Sequence, residues 1–387
     1  MSTPSSPRIA IIGGGPSGLV LLVTLIKRGV PATLYERETS KESRAHMGGM
    51  LDLIWESGQR AFRDNGLEDE ISGKDGVPLF ELKKDDPSTR DLKNSRPEID
   101  RRLIREILLN AVPEDSVKWG HTFASARPLG DGQHEITFTN GVVTVADLIV
   151  GTDGAYSRVR SLVSPAVPLY IGINGAEISL PAELVSAPEN RDISDAVGPG
   201  TLFATEASTA FVAQRNGSGR IRAYALHRDT LDWTLPADPK EAKQALLGIY
   251  HDWAPWVHKF IEQADETAIY PRPIFYLPPD HSWPHTPGVT LIGDAAHLMV
   301  ISAGGANFAM LDGLEFGLVL VDAISKGLDR EAREAAIAEW EAKMLARVRP
   351  RAELIKVSFL EWIGPDAPRS MVDSMMRFIT LEEAKER

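Results

Sequence analysis

The sequence predicts an α/β fold: a Rossmann-like domain, interrupted by an inserted β-sheet domain and closed by a C-terminal helix. Three observations predict it. The opening apolar run "IAIIGGGPSGLVLLVTLI" sets a glycine cluster between a strand-like and a helix-like stretch, and "ATLYE" follows as a second strand, giving one βαβ unit. An apolar strand ending in an acid beside a glycine then returns at "DLIVGTDG" and at "VTLIGD". From about residue 166 to 280 the pattern changes to short β-like runs with many turns, as for a second domain inserted into the first.

Each element follows in order. Arg8–Ile12 reads as a buried strand, Ser17–Lys27 as a helix and Ala32–Glu36 as a strand. Met47–Leu53 is loop and strand, and a helix over about 57–65 stops at Gly66. The polar, Pro-punctuated Lys83–Pro97 is an exposed excursion. Leu103, Ile104, Ile107, Leu108 and Ala111 give Arg101–Ala111 a 3.6-residue period. "HEITFTNGVVTVADLIV" is a hairpin turning at Asn140-Gly141 and leading into the buried strand Leu148–Gly151. Strands are expected at Gly200–Ala204, Ala210–Gln214 and Arg220–Leu226, and a helix at Pro239–Trp253. After Arg330 the chain reads as helical, broken at Pro350 and around Gly364–Pro368.

Composition narrows the function classes. The 387 residues are 43% hydrophobic and 25% charged, ordinary for a soluble globular protein. The net charge of −12 argues against nucleic-acid binding and stable membrane association. Cysteine is absent, which excludes disulfides, thiolate metal sites and a cysteine nucleophile, and fits a cytoplasmic location. The run after Arg8 mimics a signal peptide, but its glycines and Pro16 suit a strand–turn–helix better. None of the histidines makes a metal-ligand spacing with acids, so no metal site is expected.

The block Gly13–Gly18 carries the chemistry. Gly13 permits a tight turn, Gly15 lets the backbone approach a pyrophosphate, and Gly18 lets helix and strand pack closely, with Pro16 and Ser17 opening the helix. The amides and dipole of that helix favour phosphate. Glu36 ends the next strand, where a carboxylate bonds a ribose hydroxyl pair; without a 2′-phosphate the ligand would be FAD or NAD. Arg37 flanks the adenine or is solvated. Asp153 and Asp294, after Gly293, stand at further strand ends, where a parallel sheet forms its ligand crevice. One such acid is more often a helix cap; three after a GxGxxG point to the crevice.

These motifs resemble those of class A flavoprotein monooxygenases, the single-component aromatic-hydroxylase type. "IAIIGGGPSGL", "YERE", "GGMLDL", "SGQ", "PEIDRRLIREILLN" and "IGDAAHLM" are similar to stretches of the tetracycline-inactivating monooxygenases and their microbial relatives, in order along nearly the whole chain. The resemblance implies an FAD-binding domain from 1–75, 96–165 and 281–345, a substrate domain from 76–95 and 166–280, and a C-terminal helical segment from 346–387. It implies that Arg44, Asp52, Arg101 and, one turn on, Arg105 lie near the flavin or its linker. Asp294 would bond the ribityl chain, and the amides of Gly304, Gly305, Ala306 and Asn307 would cradle the phosphate and the ring edge. Gln214 and Arg222 fall where relatives contact substrate, and an Arg suits an acidic, phenolic or carbonyl-bearing molecule. The implied activity consumes NADPH as a transient reductant and dioxygen, and oxygenates a small aromatic or polycyclic substrate, secondary-metabolite or antibiotic-like. No catalytic side chain is implied, because the flavin carries the chemistry. His297 reads as structural.

One stretch departs from the resemblance. Val300 and Ile301 stand where prolines are expected, and a Gln or Glu is deleted between Gly304 and Gly305. The alternatives are therefore a non-oxygenating isomerase or cyclase on the same fold, or a ligand-sequestering protein.

Overall fold

A computed structural model describes residues 6–43, 49–72, 97–301 and 303–383. Arg44 and the stretch 76–95 lie outside the described residues. The chain divides into two compact units, Met1–Leu169 with Tyr276–Ala352, and Tyr170–Phe275 with Glu353–Arg387. The expected α/β class is what the chain adopts.

The first unit is built on a parallel sheet. Its strands are β1 (Ile9–Ile12), β2 (Ala32–Tyr35), β3 (Val117–Lys118), β4 (Leu148–Gly151) and β5 (Val289–Leu291), in the spatial order β5-β4-β1-β2-β3. Every pairing is parallel. β1 and β4 are buried at every position, which is why they read as unbroken apolar runs rather than alternating ones. Helix α1 (Pro16–Ile26) follows β1 and buries Leu19, Leu21, Leu22 and Leu25 against the sheet and its neighbours. Proline at its start and Gly29 (φ 75°) beyond its end punctuate it. Its other side meets α4 (Ala303–Ser325). A Cβ on Gly317 would stand 2.6 Å from Thr24 Cγ2, and one on Gly313 would strike the carbonyl of Ser17, so these glycines let the helices cross closely.

Arg8 and Asp147 lock the entry to β1 and β4. The Arg8 amide donates to Asp147 Oδ2 at 2.7 Å, and the guanidinium donates to both carboxylate oxygens at 3.0 Å. The Arg8 hydrogen bond is the main cause that lowers the Asp147 pKa from 3.8 to about 2. A depressed carboxylate stabilises the fold above its ordinary pKa, and the gain is lost as pH falls through the folded value. Asp147→Asn should therefore lower the unfolding free energy at pH 7 by about 1–2 kcal/mol, discounted because Arg8 is half exposed. Urea titrations of the two proteins should converge between pH 4 and pH 2; a gap constant across that window would refute the assignment.

The second unit is an antiparallel sheet in the spatial order Thr201–Glu206, Thr209–Arg215, Ile221–Arg228, Ile173–Leu180, Tyr270–Pro271. One face places Ala176, Ile178, Phe211, Ala213, Ala223 and Ala225 against Leu246, Tyr250, Val257 and Phe260 of helices Pro239–Ile249 and Pro255–Gln263. Asp238 caps the first of these, accepting from Lys240 N and Glu241 N at 2.9 and 3.0 Å.

One expectation is corrected. Pro350 does not break the C-terminal helix; α5 runs from Arg330 to Trp362 with the proline inside it. Met344, Val348, Ile355 and Phe359 are buried on both sides of the proline, and their packing outweighs the lost hydrogen bond. The break expected around Gly364–Pro368 is present, between Trp362 and the helix Arg369–Glu383.

Candidate active site: the strand tips of the parallel sheet

At the tip of β1 the chain turns at Gly13, whose φ is 113°. Its amide donates to Tyr35 O at 2.9 Å, and a Cβ there would lie 2.5 Å from the Thr152 carbonyl. Glycine is required on both counts. Gly18 is equally constrained, because a Cβ would run into the Gly13 carbonyl and lie 2.6 Å from Thr152 Oγ1. Thr152 Oγ1 stands 2.8 and 2.7 Å from the carbonyls of Ile12 and Gly13, so this threonine ties the tip of β4 to the turn after β1. Gly15 differs. Its φ is −77°, and no described residue lies within 4 Å of where its Cβ would be. It stands at the amino end of α1, where none of the described side chains caps the helix amides. Of the three, only Gly15 is therefore spared by the fold and left to a ligand.

Glu36 is buried at the tip of β2. Its Oε2 accepts the Gly14 amide and its Oε1 accepts the Glu38 amide at 3.0 Å. A carboxylate has about four acceptor sites, so a pair of hydroxyl donors can still be served. Arg37 is exposed and pairs loosely with Glu38 at 3.7 Å.

At the tip of β4, Asp153 accepts Ser157 Oγ at 2.5 Å and the amides of Arg158 and Val159 at 2.7 and 3.2 Å, so its carboxylate organises the following turn. That turn delivers Arg160, which is buried in full. Its Nε donates to Ala295 O at 2.8 Å, and its Nη2 donates to Ala155 O and Asp294 O at 2.9 and 3.1 Å. One guanidinium thus stitches the turn after β4 to the turn after β5. Burial lowers its pKa, opposed by the charges of Asp153 and Asp294.

After β5, Gly293 (φ 61°) lies against Ser17, and α3 (Asp294–His297) begins. Asp294 is half-buried, and none of the described residues donates a hydrogen bond to its carboxylate. Burial pushes its pKa up; the positive groups His297, Arg101 and Arg160 oppose the shift. A half-buried carboxylate without a donor suits a ligand that brings its own hydroxyls. The amides of Gly304, Gly305 and Ala306 open the first turn of α4. Asn307 next to them is engaged on both sides: its Oδ1 accepts Ile54 N and Gly58 N at 2.9 and 3.1 Å, and its Nδ2 donates to Asp52 O at 2.6 Å.

The strand tips thus gather Gly13, Gly15, Pro16, Ser17, Gly18, Glu36, Asp153, Gly293 and Asp294. Arg101 is exposed at the start of the helix Arg101–Asn110. Arg105 donates to Lys41 O at 3.1 Å and lies over Trp119. Gln214 and Arg222 belong to the second unit, where they pair directly in register on adjacent strands. Three contributors were not singled out from sequence: Thr152, Arg160 as a cross-link, and Asp312. Asp312 left a signal, as the first charge in an otherwise apolar helix.

A long ligand with a pyrophosphate, a vicinal diol at one end and a second set of hydroxyls toward the other fits these groups, and FAD has those parts. The fold and site define a flavin-dependent oxidoreductase. Residues 7–349 match the FAD binding domain family, and the chain belongs to it. It is 26% identical to the monooxygenase asqM of Emericella nidulans, over 92% of this chain and 95% of that protein. Among solved structures, Klebsiella pneumoniae HpxO, complexed with FAD and uric acid, is similar with a TM-score of 0.74 at 20% identity, covering 95% of this chain and 92% of that one. The tetracycline destructase Tet(51) is similar with a TM-score of 0.64 at 15% identity, covering 97% and 96%. The chain is an FAD-dependent monooxygenase of the class its motifs resemble. No helix among the described residues is long and apolar enough to cross a membrane.

Proposed function

We propose that this monooxygenase consumes NAD(P)H and oxygenates a small aromatic or polycyclic compound of secondary-metabolite or antibiotic-like type. The observation that carries this reading is the Asp294 carboxylate, which accepts no hydrogen bond from the described residues, at the end of a sheet in whose first turn no described residue crowds Gly15. Gly13–Gly18 would hold the pyrophosphate, Glu36 the adenosine ribose and Asp294 the polyol chain. Bound FAD would supply the redox chemistry with dioxygen; the chain's part is to bind it, orient it and exclude water.

The substrate class is supported by the second unit. Gln214 and Arg222 lie on the sheet face opposite the helix-packed one, because Ala213 and Ala223 between their neighbours are in the core. Arg222 Nη1 donates to Glu177 Oε1, and Arg272 Nε donates to Glu177 Oε2 at 2.9 Å. Two guanidiniums thus share one carboxylate on this face, and the planar fork of an arginine matches carbonyl or phenol oxygens. Among the structural neighbours, HpxO is complexed with uric acid, and another is a tetracycline destructase.

A non-oxygenating isomerase or cyclase is the second reading, favoured by Val300 and Ile301 in place of prolines. Val300 is buried, and α4 still begins at Ala303, so the amides that would face the ring open a helix as the first reading requires.

The purified protein should be yellow, and anaerobic NADPH should bleach its visible absorbance, faster in the presence of a phenolic substrate. Product formed without dioxygen or reductant would favour the second reading. A protein that stays colourless in excess FAD would overturn the first reading.

A further inference from the structure

His297 is buried, and its Nε2 lies 2.5 Å from Asp312 Oδ2. Asp312 has no exposure at all. Its two oxygens already face donors from other elements: the Gly293 amide at 3.0 Å on Oδ2 and Arg347 Nη2 of α5 at 2.7 Å on Oδ1. Arg347 is shared with Glu315, which also accepts Arg60 Nη1 at 3.1 Å. With donors converging on Asp312, the hydrogen in the contact with His297 belongs to the imidazole. Asp294 stands three residues before His297 in α3, hence on the same helical face. Among the described residues, the charged or titratable groups that face His297 are Asp294, Asp312 and the neighbouring His281; Arg160 and Arg101 face Asp294.

We propose that His297 is a positioning residue: held as an imidazolium by Asp312, it keeps the Asp294 carboxylate charged and ready to accept hydroxyl donors from the FAD polyol chain. The proposal rests on the reading that Asp294 meets that chain. It explains why a buried imidazole is placed between two acids where a neutral residue would fill the space. The Asp312 and Asp294 charges act against burial and raise the His297 pKa. A raised histidine holds its proton below its ordinary pKa of about 6.5 and loses it only as pH rises through the higher, shifted value. FAD affinity is therefore full below the ordinary histidine pKa and falls as pH rises through the shifted one.

The test is the FAD dissociation constant of the apoprotein, read by flavin fluorescence from pH 6 to pH 9.5. Wild type should weaken about tenfold across the alkaline limb. His297→Gln should bind about tenfold more weakly at pH 6.5 and show no alkaline limb, and Asp312→Asn should move the limb to lower pH. Nitrogen-15 histidine spectra of the wild-type apoprotein should show one ring titrating at the pH where affinity falls, a readout that does not depend on any variant folding. Asp294→Asn separates the two levels. If it leaves affinity unchanged, Asp294 does not meet FAD and the underlying reading fails. If it weakens binding while wild type and His297→Gln share one pH profile, the placement of Asp294 stands and the proposal for His297 is overturned.

Discussion

Gly15→Ala is expected to purify as a folded protein that has lost most of its FAD. The glycines of this one motif are glycines for different reasons. Gly13 and Gly18 are glycines because the protein itself leaves no room: a Cβ at either would collide with backbone atoms of Gly13 or Thr152. Gly15 has an ordinary negative φ and no described neighbour within 4 Å of its Cβ position. An alanine there costs the apoprotein nothing sterically and slightly favours the folded state, since the unfolded chain has fewer conformations to lose. What alanine removes is the close approach of a ligand's phosphates to the amides that open α1. The Tm of the apoprotein should stay within about 1 °C of wild type, while FAD binding weakens by about a hundredfold, roughly 2.7 kcal/mol. Gly18→Val is the counterpart. It should lower the apoprotein's stability by about 1–3 kcal/mol through overpacking, with or without FAD in the buffer. Equal FAD affinity of Gly15→Ala and wild type would remove the pyrophosphate from this turn.

Legibility followed how local each determinant is. The βαβ opening, the hairpin at Asn140-Gly141 and the strand tips at Asp153 and Asp294 are written in contiguous stretches, so period and turn chemistry reveal them. The strand Ile173–Leu180 was not legible. It is buried along its whole length yet carries Asn174, Glu177 and Ser179, so it shows neither alternation nor an apolar run. Those polar groups are tolerable only because of partners far along the chain, such as Arg222 and Arg272 for Glu177. Pro350 misled for the opposite reason: the local rule for proline holds, but buried residues on either side keep the helix continuous. The site divides the same way. Glycine spacing announces the cradle, whereas the acceptor role of Asp312 and the reach of Arg160 depend on which turns meet at the sheet's edge. Asp153 marks the strand tip and at the same time organises the turn after it, since its oxygens accept from Ser157, Arg158 and Val159.

Arg160→Met should be the most damaging single change outside the glycine motif. The guanidinium has 2% exposure and serves three carbonyls on two different turns. Methionine fills much of the same volume and donates nothing, so those carbonyls lose their partners in a buried setting, at about 1–3 kcal/mol each where no water replaces the donor. It also removes a positive charge that counters Asp153 and Asp294. A net loss of about 3–5 kcal/mol follows if relaxation recovers part of this. For a unit of this size that is a fall in Tm of roughly 6–15 °C. Lysine at the same position keeps the charge, but a point donor on a flexible stem cannot span the carbonyls of Ala155, Asp294 and Ala295 together. Arg160→Lys should fall between wild type and Arg160→Met in Tm. FAD affinity should drop in both variants, because the Asp294 carbonyl is one of the atoms the guanidinium holds and the carboxylate of the same residue is the proposed polyol acceptor. Thermal unfolding of the apoproteins, with FAD titrations alongside, checks both statements. If Arg160→Met melts within a degree of wild type, the cross-link between the two turns is not what fixes them, and the placement of Asp294 must come from the His297–Asp312 side alone.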